Sequence, residues 1–228
     1  MRIVSANIFC LNPIPRKAIR AIAAQEGDVT ILIESTPRFA RYTDRLLPPT
    51  RAAGLSRRGG MPITVHAHED IPVQDVQEHR RGWLELRVQG VLLLAVHAVA
   101  PYLPWRLGRR RDQLRALADR IGTVAEHEDA LAIGDFNTAH FEPAWEEFAT
   151  GAGSWRRLAP LTDRWPGTWP LGGVWAPISV DHAVTPPHLA GENGFGTVVR
   201  TFRIPGSDHQ GLVVDLQADA PTEARQAG

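Results

Sequence analysis

The sequence predicts an α/β or α+β sandwich. Apolar, strand-like runs recur from Arg2 to Leu216, and helical patterns follow the first, second and central of them. No Gly-x-Gly-x-x-Gly opens a helix, which sets aside a dinucleotide-binding sheet. No Pro/Gly/Ser-rich linker and no repeat divides the 228 residues. The chain therefore reads as one domain over residues 1–217, with a small polar tail, 218–228, expected to be disordered.

From the N-terminus, Arg2–Asn7 is rich in Ile and Val, a strand that ends in Asn7. Pro15 opens a helix with Ala18, Ile19, Ile22 and Ala23 on one face, because proline lacks only an N–H that the first turn leaves unbonded anyway. Asp28–Ile33 is a second buried strand and ends in Glu34. Thr36-Pro37 reads as a helix start with Thr36 as cap; Phe39, Tyr42, Leu46 and Leu47 follow at helical spacing, and Pro48-Pro49 stops them. Residues 51–60, with Arg51, Arg57, Arg58 and Gly59-Gly60, read as a basic loop. Ile63–His66 and Gly82–Val88 read as strands, with Ile71–Val76 another between them.

Gly90 turns the chain into Val91–Val96, strongly apolar and ending in His97. A proline-bearing loop, Pro101–Pro104, leads to a long helix from about Trp105 to Glu126. Leu107, Leu114, Leu117, Ala118 and Ile121 form its apolar side, and Arg106, Arg109, Arg110, Arg111 and Arg115 cluster near its start. Ala130–Ile133 is a short buried strand that stops at Gly134. Glu142–Ala149 is helical, with Trp145 and Phe148 inward. Residues 151–177 hold no clear element but carry Trp155, Trp165, Trp169 and Trp175. Ile178–Val184, Thr197–Ile204 and Gly211–Leu216 read as strands, with a turn over Pro205–His209.

Acidic and basic residues balance at 25 each, so any nucleic-acid or membrane partner must be met by a local patch. The single Cys10 excludes an internal disulfide framework and a cysteine-based zinc site, and reads as a buried, inert thiol. No signal peptide is visible, and no apolar run approaches the ~20 residues of a membrane span. The expected location is cytoplasmic, and no obligate protein partner is evident.

Polar residues stand at the ends of the apolar strands: Asn7, Glu34, His97, Asp135 with Asn137, Asp181 with His182, and Asp208 with His209. One Gly-Asp-x-Asn is an ordinary turn. Six such ends converging on one side of a sheet make a site of carboxylates, amides and imidazoles without a thiol. Residues two apart on extended chain point the same way, so Asp135 and Asn137 can face one cleft. Hard oxygen donors such as Glu34 select Mg²⁺ or Mn²⁺. A histidine beside a carboxylate can hold a proton or take one from water. The chemistry this suits is metal-assisted hydrolysis of a phosphate ester.

These segments resemble the endonuclease/exonuclease/phosphatase superfamily of DNase I, the exonuclease III-like repair nucleases, the neutral sphingomyelinases and the inositol polyphosphate 5-phosphatases. The resemblance rests on Ser5-Ala6-Asn7, Ile31–Ser35, Val96-His97, Gly134–Asn137, Val180-Asp181-His182 and Gly206–His209, in the family's order. Thr168-Trp169-Pro170 is similar to bacterial members that often carry membrane helices ahead of the domain. The resemblance implies a four-layer α/β/β/α sandwich with the site at one end of the paired sheets. It implies Glu34 as main metal ligand with Asn7 beside it, and Asp208 completing the metal region or orienting His209. Asp135 would orient or deprotonate water, and Asn137 would hydrogen-bond the scissile phosphate. His209, paired with Asp181, would contact the phosphate or activate water, and His97 would stand near the leaving group. Ser35 after Glu34, the ending of Met61–His68, and Phe9 two after Asn7 depart from the family pattern.

Other residues admit two readings. His182 holds the Asp181 loop or takes part in chemistry; His66, His68 and His79 read as surface residues. His140 follows the central loop and could approach the site. The arginines at 106–115 are a solvated helix face or a phosphate-binding rim, with Arg110 matching a family arginine. Trp169, with Trp165 and Trp175, is loop packing or a platform for an aromatic group. The function expected is a divalent-metal phosphodiesterase, nuclease-like and with nucleic acid among its candidate substrates. The alternatives are a phosphomonoesterase on a small metabolite or lipid head group, and a catalytically silent binding module.

Overall fold

The computed structural model describes residues 1–54, 62–79, 82–158, 167–169, 178–190 and 198–216. In chain order the elements are β1 (Arg2–Asn7), α1 (Pro15–Ala23), β2 (Val29–Ile33), α2 (Pro37–Leu46), β3 (Thr50–Gly54), β4 (Ile63–Ala67), β5 (Val73–His79), β6 (Trp83–Val88) and β7 (Val91–His97). There follow α3 (Pro104–Ile121), β8 (Ala130–Asp135), α4 (Pro143–Gly151), β9 (Arg156–Arg157), β10 (Asp181–Thr185), α5 (Pro187–Ala190), β11 (Val198–Arg203) and β12 (Gln210–Asp215).

The strands form two six-stranded sheets, β11-β12-β1-β2-β4-β3 and β5-β6-β7-β8-β10-β9. Each has one parallel pair at its centre, β1 with β2 and β7 with β8, and the other pairings are antiparallel. Each parallel pair is bridged by a helix, α1 or α3. The two halves thus repeat one topology, although the sequence shows no repeat.

Alternation along the central strands builds the layers. Ile31 and Ile33 face a core between the sheets with Leu93, Leu131 and Ile133. Their neighbours Val4 and Leu32 face Ile19, Ile22 and Phe39 of α1 and α2. On the other flank, Leu94 and Ala132 meet Leu114, Leu117 and Phe148 of α3 and α4. Strands buried on both faces must be apolar throughout, which is why Val91–Val96 shows no alternation. Truncating Leu93, fully buried between the sheets, to alanine would cost ~2–5 kcal/mol. The result is the α/β/β/α sandwich expected.

Each of the four longer helices begins with a proline, Pro15, Pro37, Pro104 or Pro143, and none has a side-chain cap. Thr36 occupies the cap position of α2, but its buried hydroxyl bonds nothing, because the Phe39 amide takes the Thr36 carbonyl instead. The long helix stops at Ile121 rather than near Glu126, where Gly122 closes it on the Ala118 carbonyl. Leu107 is exposed and not on the buried side. Residues 51–54 belong to β3, paired with β4, not to a loop; residues 55–61 lie outside the described set. The strand expected at Ile71–Val76 runs from Val73 to His79. His66 is buried, its ring held by Thr64 and the Pro48 carbonyl, because β4 is an inner strand of its sheet; His79 is half-buried and stacks on Trp83. The 218–228 tail, Trp165 and Trp175 lie outside the described residues. No helix among the described residues is long and apolar enough to cross a membrane.

Candidate active site

Strand register brings the expected side chains together. In one sheet, His97, Asp135 and Asp181 lie in a single row: His97 is the partner of Asp135 on parallel β7, and Asp181 its partner on antiparallel β10. In the other, Asn7 ends β1 beside Ile33, the residue before Glu34. Gly134 permits the close approach. Its φ is +139°, and a Cβ there would collide with the Val96 carbonyl of β7.

Asp135 is the centre. It accepts from the Asn7 amide across the inter-sheet gap (3.0 Å), from the Asn137 backbone (2.8 Å) and from the Asn137 side chain (2.9 Å). Burial pushes its carboxyl up to about 7, with Asp181 adding to the rise and His209 opposing it. His209 bonds Asp181 through Nδ1 (2.8 Å) and turns Nε2 towards Asp135 (3.9 Å). Burial disfavours charge on this imidazole, but the carboxylates of Asp181 and Asp135 outweigh it and raise the pKa to about 10. His97 lies between Glu34 (3.9 Å) and Asp135 (4.0 Å).

Glu34 is the partly exposed carboxylate of the group. One oxygen accepts from the Cys10 backbone (2.8 Å), and the other is 3.4 Å from the Asn7 amide. Cys10 is half-buried, and burial and then Glu34 push its thiol pKa up. Phe9, Glu34 and Asn137 all have positive φ, half of the non-glycine residues that do so among those described. Such strain persists only where surrounding bonds enforce it; here the Cys10 amide holds Glu34, and Asp135 and the Ala98 carbonyl hold Asn137.

The donor atoms of Asp135, Asp181 and His209 lie within 4.8 Å of one another, a spacing that could hold a metal ion. With Glu34 and Asn7 beside them, the set is rich in oxygen and fits a hard divalent cation.

Other expected residues sit differently. Asp208 is half-buried and accepts from the Trp169 indole N–H (3.1 Å), so Trp169 holds Asp208. The Asn137 amide spends its hydrogens on Asp135 and the Ala98 carbonyl (2.9 Å each), leaving none for a phosphate. Arg110 is not a rim residue. Buried among α3 and α4, it grips the Asn137 carbonyl and Glu142 (2.7 Å), which in turn accepts from the Ala139 backbone (2.8 Å). His140 lies against Phe141, near Arg157 and His182. His182 is structural: its ring accepts from Arg157 (3.0 Å), meets the Thr138 carbonyl (2.8 Å), and rests on Trp145 and Phe136. Burial and then Arg157 lower its pKa to about 3.

Three supports escaped the sequence reading. Gln113 brackets the loop after His97, donating to the His97 carbonyl (3.1 Å) and accepting from the Val99 amide (2.8 Å). The Thr168 hydroxyl accepts from the Val180 and Asp181 amides (3.1 Å each). The Ser207 hydroxyl donates to the Asn7 carbonyl (2.7 Å) and accepts from the His209 amide (3.1 Å). Ser207, in Gly206–His209, and Thr168, in Thr168-Trp169-Pro170, lie in segments that carried a local signal; Gln113 carried none.

No curated protein matches the chain. Among solved structures, a beta toxin variant from Staphylococcus aureus with bound magnesium ions superposes with a TM-score of 0.69 at 12% identity, over 95% of this chain and 99% of that one. Truncated TDP2 from Caenorhabditis elegans gives 0.67 at 18% identity, over 95% and 97%. An AP endonuclease from Archaeoglobus fulgidus gives 0.67 at 14%, over 96% and 100%. These likenesses establish the fold. Residues 4–209 match the model of the endonuclease/exonuclease/phosphatase family, so nearly the whole chain, including every strand end that builds the site, belongs to that family of metal-dependent phosphoester hydrolases.

Proposed function

We propose that this chain hydrolyses a phosphodiester by metal-assisted attack of water on phosphorus. The observation that carries the reading is the continuous bonded array Glu34–Asn7–Asp135 with His209–Asp181 beside it, drawn from both sheets. In this reading Glu34, with Asn7 beside it, holds Mg²⁺ or Mn²⁺, which when bound neutralises charge building on the phosphoryl oxygens. The His209 Nδ1 is occupied by Asp181, which favours a proton-handling imidazole over a metal-binding one.

Asp135 orients the attacking water and takes its proton; a carboxyl lifted towards neutrality by burial is suited to that. His209, cationic between two carboxylates, presents Nε2 as a hydrogen-bond donor to a phosphate oxygen. His97, buried between Glu34 and Asp135, stands where it can protonate the leaving oxygen. Asn137 and Asn7 fix the Asp135 carboxylate, and Asp208 with Trp169 borders the mouth. The magnesium in the beta toxin supports Mg²⁺, and the AP endonuclease supports a diester substrate.

Hydrolysis of bis-p-nitrophenyl phosphate and p-nitrophenyl phosphate, with Mg²⁺, Mn²⁺ or chelator, tests this in wild type and Glu34→Ala. The expected result is metal-dependent cleavage of the diester, lost in the variant. Cleavage of the monoester alone would replace this reading with a phosphomonoesterase. No turnover together with no Mn²⁺ binding would leave a silent binding module.

A further inference from the structure

Eight large apolar side chains are well exposed among the described residues, and seven stand on segments leaving the site end of the strands. Leu11 (68% exposed) and Ile14 follow β1. Tyr102, Leu103, Trp105 (64%) and Leu107 follow β7 and run into the first turns of α3. Phe141 (64%) follows β8. Only Val76, on the edge strand β5, lies elsewhere. Scattered exposed apolar residues are ordinary. Their concentration about one mouth marks an interaction surface. Burial, and then the charges of Asp208, Asp135 and Glu34, push the Tyr102 hydroxyl pKa up.

The charges of the same segment are unevenly used. Arg110, Arg111, Arg115 and Arg120 of α3 all have acidic partners. Arg106 and Arg109, interleaved with Trp105 and Leu107, have none among the described residues.

We propose that this mouth docks on a phospholipid surface, so that the scissile phosphodiester belongs to a lipid head group. The inference rests on the phosphodiesterase reading above. The chemistry of the rim selects the occupant. Leu11, Ile14, Leu103 and Leu107 have no ring on which a base could stack, but they gain by entering acyl chains. Trp105 and Tyr102 suit the boundary between head groups and chains. Arg106 and Arg109 are placed to meet lipid phosphates. The two arginines of α3 that lack an acidic partner among the described residues are by themselves too few to track several phosphates of a nucleic acid.

The test is flotation of the full chain with vesicles of phosphatidylcholine, with or without phosphatidylglycerol. Wild type is compared with Leu11→Ser, Trp105→Ser and Phe141→Ser. These side chains are exposed and outside the bonded site, so melting temperature and turnover of bis-p-nitrophenyl phosphate stay unchanged. The expected result is vesicle binding that each substitution weakens about tenfold, with release of the lipid head group falling in parallel. Glu34→Ala binds vesicles as wild type does. Failure of wild type to partition into either vesicle overturns the proposal. So does a rim substitution that instead weakens oligonucleotide binding or splits a dimer of the chain. Vesicle binding without turnover of any diester would overturn the hydrolase reading while the docking surface stood.

Discussion

The Asn7 amide donates to Asp135, 128 positions later in the chain, across the gap between the two sheets at 3.0 Å. It ties a strand end of one half to the centre of the other and holds a buried carboxylate in one orientation. Asn7→Ala removes that donor and leaves a buried acceptor less satisfied, at a cost of about 1–3 kcal/mol in stability. Diester turnover falls about 100-fold with little change in KM, since what is lost is orientation at the reacting centre. Denaturant unfolding and steady-state kinetics on the same preparation check both.

His209 carries a stability signature at alkaline pH. Its folded pKa, about 10, lies above the ordinary 6.5 because Asp181 and Asp135 outweigh burial. A raised value contributes stability that is full below pH 6.5 and lost as pH rises through about 10. Asp181→Asn removes the larger favourable charge and flattens that alkaline decline. Thermal melting of the metal-free protein across the range reads it; parallel declines in wild type and variant would refute the pairing.

His182 gives the opposite limb. Burial, then Arg157, hold it neutral to about pH 3. The unfolded chain takes up a proton near 6.5 and the folded one does not, so this contribution is complete above 6.5 and lost progressively on acidification. The slope is at most about 1.4 kcal/mol per pH unit from this group. His182→Gln, which keeps a donor for the Thr138 carbonyl, removes this group's share of the acid slope in urea titrations between pH 6.5 and 4.

Glu34 occupies a left-handed backbone position, φ 62°, that glycine adopts without a Cβ penalty. Glu34→Gly and Glu34→Ala both abolish metal-dependent turnover. The glycine variant is nevertheless about 1 kcal/mol more stable than the alanine one. Equal melting temperatures would show that the strain is relaxed in solution.

Gln113 positions the loop after His97 through two backbone contacts without itself reaching the cleft. Gln113→Ala costs about 1–3 kcal/mol by leaving the Val99 amide and the His97 carbonyl short of partners. It lowers kcat more than it raises KM. Gln113→Glu, which can still accept from Val99, recovers part of the stability; no recovery would mean that side-chain bulk alone matters.

The strand ends were legible because each announces itself locally: an apolar run, then Asn7, Glu34, His97, Asp135 or Asp181. The layers were legible for the same reason, since continuous apolar runs such as Val91–Val96 must be covered on both faces. What escaped depends on partners distant in sequence. Gln113 bonds only backbone, and backbone leaves no mark in composition. Arg110 was expected on a solvated helix face or, by the family resemblance, on a phosphate-binding rim, because charge near a helix start usually faces water; Glu142, 32 residues later, draws it inward. The Asn137 amide was expected on a phosphate, and only the fold shows the Ala98 carbonyl that claims one of its hydrogens.

The repeated topology of the two halves divides the reactive groups. Asn7, Glu34, Asp208 and His209 belong to the sheet containing β1, and His97, Asp135, Asn137 and Asp181 to the sheet containing β7. Neither layer holds enough of them to act, so chemical competence is a property of the seam. A molecule still assembling, or one in which a single layer has come loose, is silent by construction. Turnover therefore doubles as a gauge of whether the two layers are closed on each other, and heat should extinguish it as the core shared by the sheets opens.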